Sequence, residues 1–151
     1  MEQQSVLKDV FISMGELERY FDGAVPVNLW RGLNIKKNTA LFDLIETPHK
    51  MSNGRIRKPD ITIENGWVKV KHWPRGISTF DKPGVPKGKD WVHYIIPAGT
   101  PLPRGLAIVK DSYNETFMAT HYTIAPAHDM PIATFRNLLR SFAAQIERIA
   151  K

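Results

Sequence analysis

The chain has 151 residues, 42% of them apolar and 10% aromatic, which is enough for one domain with its own core and too apolar for wholesale disorder. It contains no cysteine, so disulfides and thiolate-bound metal are excluded. A formal charge of +6 and a sequence pI of about 9.7 suit contact with nucleic acid, an anionic membrane or an acidic protein.

Met1 to Met14 carries Glu2, Lys8 and Asp9 and no long apolar run. It is expected to be neither a cleavable secretion signal nor a membrane span. Val6, Val10, Phe11, Met14, Leu17 and Phe21 recur at helical spacing, and Ser13 with Glu16 three residues on predicts a capped helix reaching Tyr20. Asp22-Gly23 marks a turn. Val27 to Leu33 reads as a strand with Val27, Leu29, Arg31 and Leu33 on one face and Trp30 on the other. Arg31 is a cation in an apolar row, where burial without a partner is costly.

Lys36 to Asp60 reads as irregular, with one helical turn at Leu41 to Ile45 and breaks at Thr47-Pro48 and Asn53-Gly54. Ile61 to Ile63 and Trp67 to Val70 predict a hairpin through Asn65-Gly66. Ser78 to Phe80 starts another strand. Pro83, Gly84, Pro86 and Gly88 predict a loop, and Trp91 to Ile96, Leu106 to Val109 and Phe117 to Ala125 are the clearest strands. Between Gly66 and Asp90, Lys69, Lys71, Arg75, Lys82, Lys87 and Lys89 face only Asp81 and Asp90. This stretch reads either as a solvated loop that protects sheet edges or as an anion-binding surface. At the C-terminal end, Pro131 suits a first helical position, and Ile132, Phe135, Leu138, Leu139, Phe142, Ile146 and Ile149 share one face. The pattern predicts an α+β fold in a single domain over 1–151, with an amphipathic C-terminal helix over short strands.

Polar residues crowd two places that strand alternation does not explain. These are Asp111-Ser112-Tyr113-Asn114 and the stretch Ala119 to Ile124, which holds Thr120, His121, Tyr122 and Thr123. Such a cluster beside an apolar run suggests a grip on a polar ligand. Leu29-Trp30-Arg31 and Gly76-Ile77-Ser78-Thr79-Phe80-Asp81 are candidates for the rest of the site. His49, His72, His93 and His128 lack metal-ligand spacing, and neither a phosphate-binding glycine loop nor a nucleophile elbow is present. Trp67, Trp73 and Trp91 among lysines are compatible with a nucleic-acid surface, although core packing explains them more simply.

Together these segments resemble the ADP-ribosyltransferase-like toxin family of type VI secretion effectors. The resemblance runs from about Leu29 to Met130. It rests on Leu29-Trp30-Arg31, Pro59-Asp60-Ile61, Gly76 with Ser78, Phe80-Asp81, Gly84-Val85, Ile96-Pro97, Gly99-Thr100, Asp111 to Asn114, and Ala119 to Ile124 with Pro126 and Met130. It implies two small, mostly antiparallel sheets around an NAD cleft, with NAD as substrate and no metal. It also implies a cognate immunity protein, an intracellular target and a secretion apparatus. The expected course is synthesis in the cytoplasm, export without a cleavable signal and action in the cytoplasm of a target cell.

Cleavage of the nicotinamide–ribose bond builds oxocarbenium character, as glycoside cleavage does. The resemblance implies Arg31 as the pyrophosphate grip, whose guanidinium fork suits phosphate oxygens, and Ser78 and Thr79 as hydroxyls bracing the cleft. Ile77 stands where a threonine is usual, and Thr79 points to the opposite face from Ser78 on a regular strand. His121 is read as a ribose hydrogen-bonding group or general base, with Tyr122 on the core side. Asp111 is either a stabiliser of ribose charge or a tie for a turn. Phe80, Tyr113 and Asn114 complete the expected NAD contacts. The paired glutamate motif common in ADP-ribosyltransferases does not occur between Leu29 and Met130, where the resemblance lies; Glu16-Leu17-Glu18 and Gln145-Ile146-Glu147 fall outside that span. NAD hydrolysis and RNA binding or cleavage are the rival activities.

Overall fold

A left-handed glycine sets the first boundary of the fold. A computed structural model describes residues 4–36, 40–51, 53–85 and 87–149. In it α1, Leu7–Met14, stops at Gly15, whose φ of 70° is cheap only without a Cβ. The expected helix from Ser13 to Tyr20 is therefore shifted toward the N-terminus: Ser13 lies in the last turn of α1 rather than at a cap, and only the 3-10 turn Leu17–Arg19 follows.

The strands are β1 (Tyr20–Phe21), β2 (Leu29–Asn34), β3 (His49–Lys50), β4 (Ile56–Arg57), β5 (Ile63–Glu64), β6 (Trp67–Val68), β7 (Ile77–Phe80), β8 (Trp91–Ile96), β9 (Leu106–Asn114), β10 (Ala119–Pro126) and β11 (Met130–Pro131), and the chain then enters α2 (Ile132–Ile149). The fold is α+β, as expected, with all pairings antiparallel. Strand pairing is divided unequally into a six-stranded sheet ordered β1-β9-β10-β7-β2-β8, a three-stranded sheet ordered β11-β6-β5 and the ladder β3-β4. The hairpin through Asn65-Gly66 forms as predicted, both residues having positive φ. Leu41–Phe42 makes a turn and not a helical one, and the β3-β4 hairpin occupies chain expected to be irregular. Pro86 of the expected loop and the Ile149 side chain of the expected helical stripe lie outside the described residues.

The two faces of the large sheet are covered differently. On one face, Ile108, Tyr122, Ile124 and Ile77 pack with Phe135, Leu139, Phe142 and Ile146 of α2 in the main core. On the other, Ala107, Val109 and Ala125 meet Leu7 and Phe11 of α1 and Val70. Helix α1 covers only part of that second face, and the uncovered remainder carries the site described below. The turn before α2 is tied by Asp129, 3% exposed, whose carboxylate accepts the amides of Ser5 (3.0 Å) and Val70 (2.8 Å). Among the described residues no helix is long and apolar enough to cross a membrane.

Gly76 leads into β7 with no room for a side chain. A Cβ there falls 1.9 Å from the Ile124 carbonyl oxygen, a backbone atom of β10. Gly76→Ala is expected to lower stability by about 2–3 kcal/mol, the range of an overpacked core position, seen as a fall in the urea midpoint at unchanged slope. A midpoint equal to that of the parent protein contradicts the close approach of these strands.

Candidate functional site

Alternation along β7 sorts its polar residues. Thr79 pairs with Tyr122 and Ile77 with Ile124, so Thr79 faces the main core, 1% exposed, and its hydroxyl donates to the Tyr122 carbonyl at 3.0 Å. Ser78 pairs with Thr123 and Phe80 with His121 on the opposite face. The Phe80 ring stands edge-on to the His121 imidazole, 5.2 Å between centroids. Trp30 registers with Phe80 across β2 and β7 and so belongs to the same face.

The pairing of β9 with β10 becomes irregular at Asp111. Between Tyr122↔Lys110 and Thr120↔Tyr113, β9 advances three residues while β10 advances two. Asp111 and Ser112 therefore both lie opposite His121. Asp111 shares the face of Val109, Thr123 and His121 by ordinary alternation, and its Oδ2 lies 2.7 Å from His121 Nδ1 and accepts the Thr123 hydroxyl. Arg19 Nη2 stands 3.8 Å from the other oxygen. An ionised carboxylate only accepts, so in neutral His121 the proton sits on Nδ1 and Nε2 is the bare nitrogen.

Ser78, His121 and Thr123 form one wall of a cleft of about 330 Å³, within the range of small-molecule sites. A second wall is Trp73, Pro74 and Arg75, running into Gly76 ahead of β7, and Arg57 to Asp60 complete the lining. Hydrogen bonds pin this second wall: Thr62 Oγ1 donates to the Pro74 carbonyl at 2.9 Å and Gly76 N to the Asp60 carbonyl at 2.9 Å. Asp60 accepts the Ile45 amide at 2.7 Å and Arg57 Nη2 at 3.1 Å. Trp73 is 66% exposed at the rim, so core packing does not account for it. A larger groove of about 660 Å³ lies between Tyr20, Arg104 and His128, but none of the expected site residues reaches it.

Arg31 is not in the cleft lining. Its Nε donates to the Leu41 carbonyl (3.1 Å) and its Nη1 to the Ser78 carbonyl (3.0 Å), at the seam where β2 and β7 share the Trp30↔Phe80 pair. Burial lowers its pKa, and the negative charges of Asp60 and Asp43 oppose that shift. Arg31 thus meets the site through the backbone of Ser78. Tyr122 packs in the core, and burial raises the pKa of its phenol. Tyr113 and Asn114 lie at the far end of the β9-β10 hairpin, where Asn114 Oδ1 accepts the Phe117 amide at 3.1 Å and Tyr113 is 58% exposed.

The structure therefore gathers Ser78, His121, Asp111 and Phe80, attaches Arg31 from outside, and leaves Thr79, Tyr122, Tyr113 and Asn114 elsewhere. Sequence reasoning gives no site role to Trp73, Arg75 or Asp60, and holds Thr123 only as a member of the polar cluster around His121. The available signals were the Trp-Pro-Arg-Gly run just before Ser78 and the Pro59-Asp60-Ile61 segment.

Comparison with known proteins adds two findings. A family model described as the Tse2 ADP-ribosyltransferase toxin matches residues 8–150. The curated protein "Toxin Tse2" of Pseudomonas aeruginosa strain PAO1 is 47% identical over 55 residues, which cover 36% of this chain and 34% of the relative. The aligned part of the chain thus spans about a third of that relative's length.

The tautomer of His121 can be tested directly. In ¹⁵N spectra at a pH where the ring is neutral, its Nδ1 should appear protonated and its Nε2 bare. Asp111→Ala should shift this population toward the Nε2-protonated form while the far-UV spectrum stays unchanged. A wild-type ring protonated on Nε2 contradicts the assigned contact.

Proposed function

The chain belongs to the Tse2 ADP-ribosyltransferase toxin family, and from that premise we propose that it is an NAD-consuming toxin whose chemistry takes place in the cleft between Ser78 and His121. The observation that carries this reading is the part-buried Asp111–His121 contact, 2.7 Å long, whose histidine lines that cleft. It supplies a histidine held in one tautomer beside a serine hydroxyl, with aromatic rings and cations nearby. Those groups fit a nucleotide built of planar bases, ribose hydroxyls and phosphates.

In the proposed reaction the bond between ribose C1′ and the nicotinamide nitrogen breaks. Its electron pair goes to the ring nitrogen, which loses its positive charge as nicotinamide leaves. C1′ then bonds to a nucleophilic atom of the target, whose proton passes to His121 Nε2. Ser78 orients the ribose through its hydroxyl, and Phe80 holds the imidazole in place. Arg31 keeps the Ser78 backbone in register through the carbonyl it grips. Asp111 acts behind His121, fixing its orientation and stabilising the imidazolium once the proton arrives, in the manner of a triad carboxylate. Among the described residues the cleft lining holds no glutamate, and in this role the fixed His121 supplies the base. The site is carried by a single domain over 1–151. An intracellular target, a cognate immunity protein and export by a type VI apparatus to a target-cell cytoplasm complete the proposal.

The test uses NAD labelled on its adenylate phosphate, incubated with the protein in the presence and absence of cell lysate. Label on macromolecules indicates transfer, and free labelled ADP-ribose indicates hydrolysis. His121→Ala is expected to slow loss of NAD by about 100-fold, the lower end of general-base effects, with an unchanged melting temperature. Wild-type protein that leaves NAD intact under both conditions contradicts the reading.

A further inference from the structure

The guanidinium groups around the cleft are not equivalent. Arg31 donates to the Leu41 and Ser78 carbonyls. Arg57 donates to the Lys58 carbonyl and to Asp60. Arg19 donates to the Lys110 carbonyl and Glu16 and also faces Asp111. Arg75 differs from all three. It lines the cleft with Ser78 and His121, yet its Nε and Nη1 are buried and make no hydrogen bond; they are the buried side-chain polar atoms without a partner among the described residues.

Buried donors without acceptors are expensive, and native proteins rarely keep them without a reason. The Phe11 ring lies under this guanidinium, 5.5 Å from Cζ to centroid, but a ring face does not replace an oxygen acceptor. Charge gives no fuller account. Burial lowers the pKa of Arg75, the Asp111 carboxylate counters that effect, and Arg19, stacked on the same Phe11 ring at 5.2 Å, repels it. The side chain is a half-buried cation with two unfilled donors, and it lines the same cleft as Ser78 and His121.

We propose that Arg75 is the anion-gripping residue of this cleft, and that its guanidinium fork takes phosphate oxygens of the bound dinucleotide. The assignment rests on the nucleotide reading of the cleft and names the group that holds the diphosphate. An arginine fork matches two phosphate oxygens at once, which a lysine cannot do. It also explains why a folded protein keeps such a side chain: the ligand supplies the missing acceptors, so the site is less stable empty than filled.

The experiment measures ADP-ribose binding by calorimetry, together with melting temperature, for the wild-type chain, Arg75→Gln and Arg75→Lys. Arg75→Gln is expected to weaken ADP-ribose binding by on the order of tenfold or more, with a melting temperature equal to or above that of the parent, since it removes a buried charge that lacks hydrogen-bond partners. Arg75→Lys is expected to keep the charge and still lose most of the affinity. In the wild-type protein the Arg75 Nε–H resonance, identified by its absence in Arg75→Gln, should shift as ADP-ribose saturates the site. A resonance that stays put at saturation overturns the assignment whatever the variants do, as does an affinity in Arg75→Gln within twofold of the parent. A wild-type chain that binds neither ADP-ribose nor NAD overturns the nucleotide reading and this inference with it. Binding that survives in Arg75→Gln overturns this inference alone.

Discussion

The site depends on one carboxylate shared by two side chains of the neighbouring strand. Alternation from the Val109↔Thr123 and Lys110↔Tyr122 pairs puts Asp111 on the face of His121, just ahead of the bulge in β9. There the carboxylate meets His121 and the Thr123 hydroxyl. Removing Asp111 would leave Thr123, which is 4% exposed, without the acceptor its hydroxyl now uses, and would leave His121 free to rotate. The carboxylate is itself held by Arg19, which stacks on Phe11 of α1. A small helix far from the cleft in sequence therefore takes part in the electrostatics of the site.

The scaffold explains why that arrangement is rigid. One face of the large sheet is sealed by α2, and its residues build the main core. The other is sealed only in part, by α1 and Val70. His121, Ser78 and Phe80 emerge where α1 ends its cover, so the functional face continues a packed one. The second wall of the cleft is irregular chain, but its backbone is anchored. Gly76 donates to Asp60, Ile61 bridges Arg75, and Thr62 holds Pro74. The absence of a side chain at Gly76 lets this wall approach β10. Polar groups on both walls are thus positioned by backbone contacts, as preorganised sites require.

Much of this was legible in the residues, and the remainder was illegible for identifiable reasons. The stripe Phe135, Leu139, Phe142 and Ile146 and the Asn65-Gly66 turn follow local rules, and the structure keeps both. Strand alternation separated Ser78 from Thr79 and His121 from Tyr122 before any contact was known, and each pair does divide between the two faces. Tyr113 is turned off the His121 face by the bulge, which periodicity does not reveal, and Asn114 is tied into the hairpin end through Phe117. Arg31 stood out because a cation interrupted an apolar row. Its carbonyl partners, Leu41 and Ser78, are 10 and 47 residues away in the chain and could not be read from local pattern. Arg75 and Trp73 were absorbed into a lysine-rich stretch and a scatter of tryptophans, because nothing local marks a half-buried guanidinium. That stretch is also not uniform: Lys69 reaches Asp129 at 3.8 Å and Lys82 donates to the Phe117 carbonyl at 3.2 Å, each with a definite partner.

Family membership and geometry meet at this cleft. The family model spans residues 8–150, which include all but the first residue of α1, both walls and the whole of α2. Glu16-Leu17-Glu18 and Gln145-Ile146-Glu147 do not line this cleft, and in the proposed chemistry a histidine held by a part-buried carboxylate stands where a glutamate pair would. The most direct measurement is a crystal structure of the chain with a non-hydrolysable NAD analogue. The account predicts density between Trp73–Gly76 and Ser78–His121, with a ribose hydroxyl within hydrogen-bonding reach of Ser78 Oγ or His121 Nε2. An analogue seated instead in the groove bounded by Tyr20, Arg104 and His128, with the Ser78–His121 cleft empty, would contradict it.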